Sequence, residues 1–213
     1  MCKFSNEYSS LIDTSLLDFY EDEITSNEIY LGMDVGSTTD RTAIVTVKTL
    51  ADKIYIDDII TLHKADYETQ LNILRDLHNK YHYTAGKIDS NGIGSALSEF
   101  ATKTVTTRIT GYTWTSTNKT PAYENLRAKI FDHKILFNKK YQDLIISDFN
   151  NVHRIVSESG KVTYEAGRNK NGHSDVTSAI VLALESISKT KVNKQVPMSI
   201  LHSSVFGNRR SRL

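Results

Sequence analysis

The sequence predicts a mixed α/β sheet with helices on both faces, and three observations carry that expectation. Residues 28–63 read as three consecutive β-rich runs joined by short polar turns. From residue 66 onward, helix-period segments alternate with strand-like ones. Residues 175–187, DVTSAIVLALESI, form a helix too apolar for a surface position. A meander that leads into alternating strands and helices gives a sheet flanked by helical layers.

The elements follow in order. EIYLGMDV (28–35) is a strand stopped by Gly36-Ser37, and TAIVTVKTL (42–50) and KIYIDDIITLH (53–63) complete the meander. Leu71, Leu74 and Leu77 mark one face of an amphipathic helix, with Asp66 placed to cap it. A strand ends at GKIDSNGIG (86–94), a short helix SALSEFATK follows, and VTTRITGYTW (105–114) is the next strand. Residues 118–134 are a helix with Pro121 in its first turn, and YQDLIISDFN (141–150) is another. HRIVSESGKVTYEAG (153–167) is a hairpin turning at Ser159-Gly160. A loop with two glycines, GRNKNGHSD, leads into the apolar helix, which Ser174 or Asp175 would cap.

Composition narrows the class. The chain has 213 residues, 39% apolar and 24% charged, which suits one sizeable domain with flanking arms. No apolar run approaches the ~20 residues needed to cross a bilayer. The N-terminus has no signal-peptide pattern, so a cytoplasmic protein with no membrane partner is expected. Cys2 is the only cysteine, which excludes a disulfide framework and a cysteine zinc site. The net charge is +1, but it is unevenly spread. Residues 1–28 carry seven acids and one base, whereas 189–213 carry six bases and no acid. The expected organisation is therefore an acidic linker at 1–27, able to dock on the core, a folded domain at 28–188 and a basic tail at 189–213. Such a tail suits contact with a polyanion or an acidic protein surface.

Three aspartates stand where a site would form. Asp34 closes the first strand of the meander, Asp89 closes a later strand, and Asp175 opens the apolar helix. Strand ends and helix starts converge on crevices in α/β sheets. Three carboxylates there would repel one another, and hard divalent cations with oxygen ligands relieve that repulsion. Mg²⁺ or Mn²⁺ suits such a set. Two ions ~3.5–4 Å apart could orient a water and stabilise the leaving oxygen of a phosphodiester. Asp34 would bridge them, with Asp89 and Asp175 holding one each. Taken singly, Asp34 and Asp89 are ordinary turn residues and Asp175 an ordinary cap. Asp40 is a candidate outer ligand or a turn cap. His173 is a candidate ligand or water-orienting group, or a plain loop residue.

At GMDVGSTTDRTAI (32–44), IDSNGIGSALSEF (88–100), NKTPAYENLRAKIFDHKIL (118–136) and VTYEAGRNKNGHSDVTSAIVLAL (162–184), the sequence resembles the C-terminal nuclease domain of tailed-phage terminase large subunits. The resemblance covers roughly residues 28–188. It implies an RNase H-like fold and a two-metal endonuclease that cuts concatemeric viral DNA during genome packaging. Asp34, Asp89 and Asp175 match the family's catalytic acids, Asp40 a less uniform accessory acid, and His173 a position where only some members have histidine. The implied setting is the host cytoplasm, not the mature virion. The implied partners are double-stranded DNA, portal protein, the small terminase subunit and an ATPase motor. That motor needs a P-loop, G-x-x-x-x-G-K-[ST], which this sequence lacks; GIGSALSE is not one. The expectation is thus a cutting domain that does not translocate DNA alone.

DNA contact should be mainly to phosphates. Candidate cations are Lys119, Arg127, Lys129, Arg168 and Lys170, each otherwise an ordinary surface charge. Three other readings compete. GMDVGSTT resembles the first phosphate loop of sugar kinases, actin and Hsp70, although that architecture needs two lobes and a second such loop. A RuvC-like junction resolvase would share the fold and acids. A non-catalytic module with a decayed site is the third.

Overall fold

The computed structural model describes residues 7–36, 41–167 and 174–194. A seven-stranded mixed sheet forms its centre. Its strands are β2 (Asp18–Tyr20), β3 (Ile29–Asp34), β4 (Arg41–Leu50), β5 (Lys53–His63), β6 (Ala85–Asp89), β7 (Ile109–Tyr112) and β8 (Ile135–Asn138). The spatial order is β2-β8-β5-β4-β3-β6-β7. The meander β3-β4-β5 is antiparallel, while β6, β7, β8 and β2 join in parallel. β4 lies in the middle and is buried along nearly its whole length, which explains its unbroken apolar and threonine run.

Helices cover both faces. Helices α1 (Tyr67–Tyr81) and α2 (Gly94–Thr104) pack on one side through Leu74, Leu77, Leu97 and Ala101, against Leu31, Met33, Ile44 and Ile88. Helices α3 (Lys119–Phe131), α4 (Gln142–Asn150) and α5 (Asp175–Lys194) cover the other, where Leu126, Ile130, Ile145, Phe149 and most of α5's first four turns join Tyr30, Val45 and Val47. The alternation of strand residues between these cores is the period-two rule in operation. Asp66 caps α1 by accepting the Thr69 N–H at 2.8 Å, as expected. The helix ends at His82, in the left-handed region at φ 49°.

Several elements differ from the sequence expectation. The strand expected at 105–114 shortens to 109–112, because Val105 still closes α2 through Ala101. β8 has no counterpart in the expectation; four residues between two helices gave too short a pattern. The acidic head, from residue 7 onward, is built into the fold. β1 (Glu7–Ser10) pairs with β9 (Val152–Val156), which pairs in turn with β10 (Val162–Ala166) in a second, three-stranded sheet. β2 forms one edge of the large sheet. Between β1 and β2, Leu11, Ile12 and Leu17 are buried in the α5-side core.

Glycine decides how closely α5 approaches. A Cβ on Gly32 of β3 would stand 1.9 Å from the Ala179 carbonyl oxygen and 2.5 Å from the Ala183 nitrogen. Gly32, Ala179 and Ala183 therefore let the helix lie directly on the strand. That contact brings the start of α5 to the end of β3.

Candidate active site

Asp34 and Asp89 end neighbouring parallel strands. Met33 of β3 is paired with Ile88 of β6, so the two aspartates occupy the next, adjacent positions. Parallel strands lie ~4.8 Å apart, which brings both carboxylates to one crevice at the sheet's carboxyl edge. Asp175 is the first residue of α5. Its charge acts on Asp34 together with that of Asp89, so the three lie together.

The electrostatics show the strain of this grouping. Asp34 is partly accessible, yet desolvation first, then repulsion from Asp89 and Asp175, push its pKa up to about 8. A hydrogen bond with Ser178 opposes this, and Asp148 adds to it. The Ser178 hydroxyl is also 3.1 Å from the Tyr123 hydroxyl, so α3 helps orient it. Desolvation likewise raises Asp89, against the Asn91 N–H and the Lys119 charge.

Two residues outside the expected set shape the centre. Arg41, at the start of β4, donates from Nε to Asp175 Oδ2 and from Nη2 to Asp148 Oδ1, each at 2.9 Å. Asp148 Oδ2 accepts both the N–H and the hydroxyl of Thr177 at 2.7 Å. The acceptor for the α5 N-terminus is thus a side chain from α4, beyond the local Ser174 and Asp175. A signal for Asp148 was present in the sequence. In YQDLIISDFN it sits between Ile145 and Phe149 on the helix's buried face. Arg41 is the first residue of a strand buried almost throughout, which is an unusual place for a charge.

The other expected residues fall as follows. Asp40, His173, Arg168 and Lys170 lie outside the described residues. Lys119 lies over the Tyr123 ring, near enough to Asp89 for its charge to act on that carboxyl. Arg127 is paired with Glu124 at 3.1 Å and lies over Phe131. Lys129 lines a cavity with Leu184 and Ile187, more than two turns along α5 from Asp175. Among the described residues, no three His, Cys, Asp or Glu side chains converge tightly enough to chelate one ion. Arg41 occupies one oxygen of Asp175 in this arrangement. The donor set nevertheless fits a hard divalent cation. It is all oxygen and partly accessible, and its mutual repulsion is what such an ion would relieve.

The profile of the terminase RNaseH-like domain family matches residues 31–186. The chain belongs to this family. No curated protein sequence matches it. Solved structures share the fold of this terminase domain. The large terminase nuclease from thermophilic phage G20c with bound magnesium superposes with a TM-score of 0.67 at 17% identity, covering 83% of this chain and 96% of that one. The nuclease domain of Thermus phage P74-26 large terminase gives 0.65 at 16% identity, covering 82% and 94%. The HK97 bacteriophage large terminase gives 0.65 at 13% identity, but this chain spans only 44% of its length. The G20c nuclease is also known with bound cobalt and bound zinc. At these identities the likeness speaks for the RNase H-like fold. The described residues form one such unit and do not supply the two lobes of a kinase- or actin-like ATPase. No helix among them is long and apolar enough to cross a membrane.

Proposed function

We propose that this chain is the cutting domain of a phage large terminase, a divalent-metal-dependent endonuclease acting on concatemeric double-stranded viral DNA during packaging. The observation that carries this reading is the juxtaposition of Asp34 and Asp89 on paired strand ends with Asp175 at the start of α5. Asp34, Asp89 and Asp175 would hold two Mg²⁺ or Mn²⁺ ions, with Asp40 and His173 as accessory groups. Bound ions would lower the pKa of the attacking water and stabilise the leaving oxygen.

The chain's own residues set the conditions for that chemistry. Asp34 feels both other carboxylates, which makes it the natural shared ligand. Ser178 favours its charged form, and Lys119 supplies positive charge beside Asp89 for a phosphate of the substrate. Arg168 and Lys170 would extend this contact, whereas Arg127 and Lys129 have weaker claims because of their placement. We assign residues 28–188 to the nuclease domain, with strands from 7–20 completing it, and 189–213 to a basic tail suited to portal or DNA. The small terminase subunit and a separate ATPase motor complete the proposed partners, in the host cytoplasm.

The test is cleavage of supercoiled plasmid in Mg²⁺ or Mn²⁺. Asp34→Asn, Asp89→Asn and Asp175→Asn should each lose cutting by a factor of at least ~10², with cooperative unfolding retained. Wild-type cutting by any of the three would remove that residue from the centre. Selective cutting of four-way junctions over linear duplex would favour a resolvase instead.

A further inference from the structure

Arg41 and Asp148 form a buried pair for which direct DNA contact offers no explanation. Arg41 is 9% exposed and Asp148 6%, so neither can meet a phosphate without leaving its place. The pair is also more than glue between elements. Arg41 uses two different nitrogens, Nε and Nη2, on two different carboxylates. Asp148 is itself pinned by two bonds from Thr177, two residues beyond Asp175 on the same helix. A closed loop results: Asp175 to Arg41, Arg41 to Asp148, Asp148 to Thr177, and back along α5.

Each member has a reason to be what it is. A guanidinium stays charged and presents donors in a rigid fork, so it can fix the plane of one carboxylate while anchored on another. A lysine carries the same charge on a flexible stem and lacks that fork. Asp148 accepts from Thr177 on one oxygen and from Arg41 on the other, whereas an asparagine would turn an NH₂ towards one of them. Arg41 engages Oδ2 of Asp175, so Oδ1 is the oxygen through which this carboxylate would hold a cation.

We infer that Arg41, anchored by Asp148, is a positioning residue that orients the Asp175 carboxylate for metal binding. It also stands as counter-charge to that carboxylate when no ion is present. The inference rests on the nuclease reading above. Groups that orient metal ligands typically change metal affinity by ~10–100-fold when altered.

The experiment uses the full chain and Mn²⁺ alone as probe, with binding followed by calorimetry. The Mn²⁺ dependence and DNA KM of plasmid cutting are measured in parallel. Arg41→Lys and Asp148→Asn should both unfold cooperatively and bind Mn²⁺ at least about tenfold more weakly. Half-maximal cutting should move to correspondingly higher Mn²⁺, with the KM for DNA unchanged once Mn²⁺ saturates. If only charge or packing mattered, Arg41→Lys would restore wild-type affinity, and that result overturns the inference. So does a raised DNA KM with unchanged Mn²⁺ affinity, which would make Arg41 a substrate contact. Should Arg41→Lys fail to fold, Asp148→Asn decides alone. A wild-type chain that neither binds Mn²⁺ nor cuts DNA sinks the nuclease reading itself. A wild-type chain that does both, matched by its variants, sinks only the role of Arg41.

Discussion

At Asp34, the two demands on a catalytic carboxylate oppose each other. It must ionise to hold a cation, yet desolvation and two neighbouring acids hold its pKa at about 8. The sign of the pH dependence follows. The folded value lies above the ordinary aspartate value of 3.8, so between these limits the folded chain keeps a proton that the unfolded chain has released. Stability contributed by this group is therefore full below about pH 4 and lost as pH rises towards 8. Asp89 and Asp148 are shifted in the same direction. In EDTA, the melting temperature should fall from pH 6 to pH 8. Asp34→Asn should flatten that slope by up to ~1.4 kcal/mol per pH unit. Adding Mg²⁺ or Mn²⁺ should raise the melting temperature more at pH 8 than at pH 6, because binding an ion to the acids releases protons. An Asp34→Asn variant with the wild-type slope would place the titrating group elsewhere.

The elements that carry the three acids were legible in the sequence, as were β4 and α4, but the contacts through which β4 and α4 lock the acids were not. β3 and α5 announce themselves by their apolar runs and β6 by the turn residues that follow Asp89, and each acid sits at a boundary so defined. Arg41 and Asp148 are brought to Asp175 by contacts spanning 134 and, through Arg41, 107 positions of the chain. No local pattern encodes such a separation. Asp148 could have been noticed as an acid on a buried helix face and Arg41 as a charge on a buried strand, but their pairing could not. β8 was missed because four residues are too few for a period-two signal. Its strand character comes from parallel pairing with β5 through Ile135, Leu136 and Phe137. The close packing of β3 on α5 gives a test at this scale. Gly32→Ala places a methyl carbon 1.9 Å from a backbone oxygen, which only movement of the helix can relieve. Overpacking of this kind costs about 1–3 kcal/mol, and the backbone contact puts this case at the upper end. The urea midpoint should drop accordingly. Plasmid cutting should fall further than the folded fraction does, because Asp175 and Ser178 move with α5. Wild-type stability in this variant would mean that α5 does not lie against β3.

For the whole molecule, the acidic head changes meaning. The sequence suggested a linker able to dock on the core, because acids alternate there with apolar residues and no clean strand period emerges. Its apolar residues contribute differently. Leu11 is fully buried, with Ile12 and Leu17 close behind, on the face where α4 and α5 pack. The Leu11 N–H donates to the Val152 carbonyl at 2.8 Å, which continues the β1–β9 pairing towards the core. β2 closes the large sheet beside β8, and the Tyr20 hydroxyl reaches the Ile56 carbonyl and Asp57 of β5. The exposed ion pair of Glu21 with Lys139 adds little to this, since such pairs are worth ~0–1 kcal/mol. Burial therefore sets the prediction. Leu11→Ala should lower the unfolding free energy by about 2–5 kcal/mol, read from the urea midpoint at constant slope. Removing residues 1–20 should do more, because it uncovers the α4–α5 side of the core and leaves β8 as an unpaired edge. The truncated chain should bind a hydrophobic dye, aggregate on concentration and lose cutting even though all three aspartates remain. In contrast, Glu21→Ala, Asp22→Ala and Glu23→Ala together should leave the urea midpoint nearly unchanged. A truncated chain that unfolds cooperatively at the wild-type midpoint would return residues 1–20 to the role of a linker.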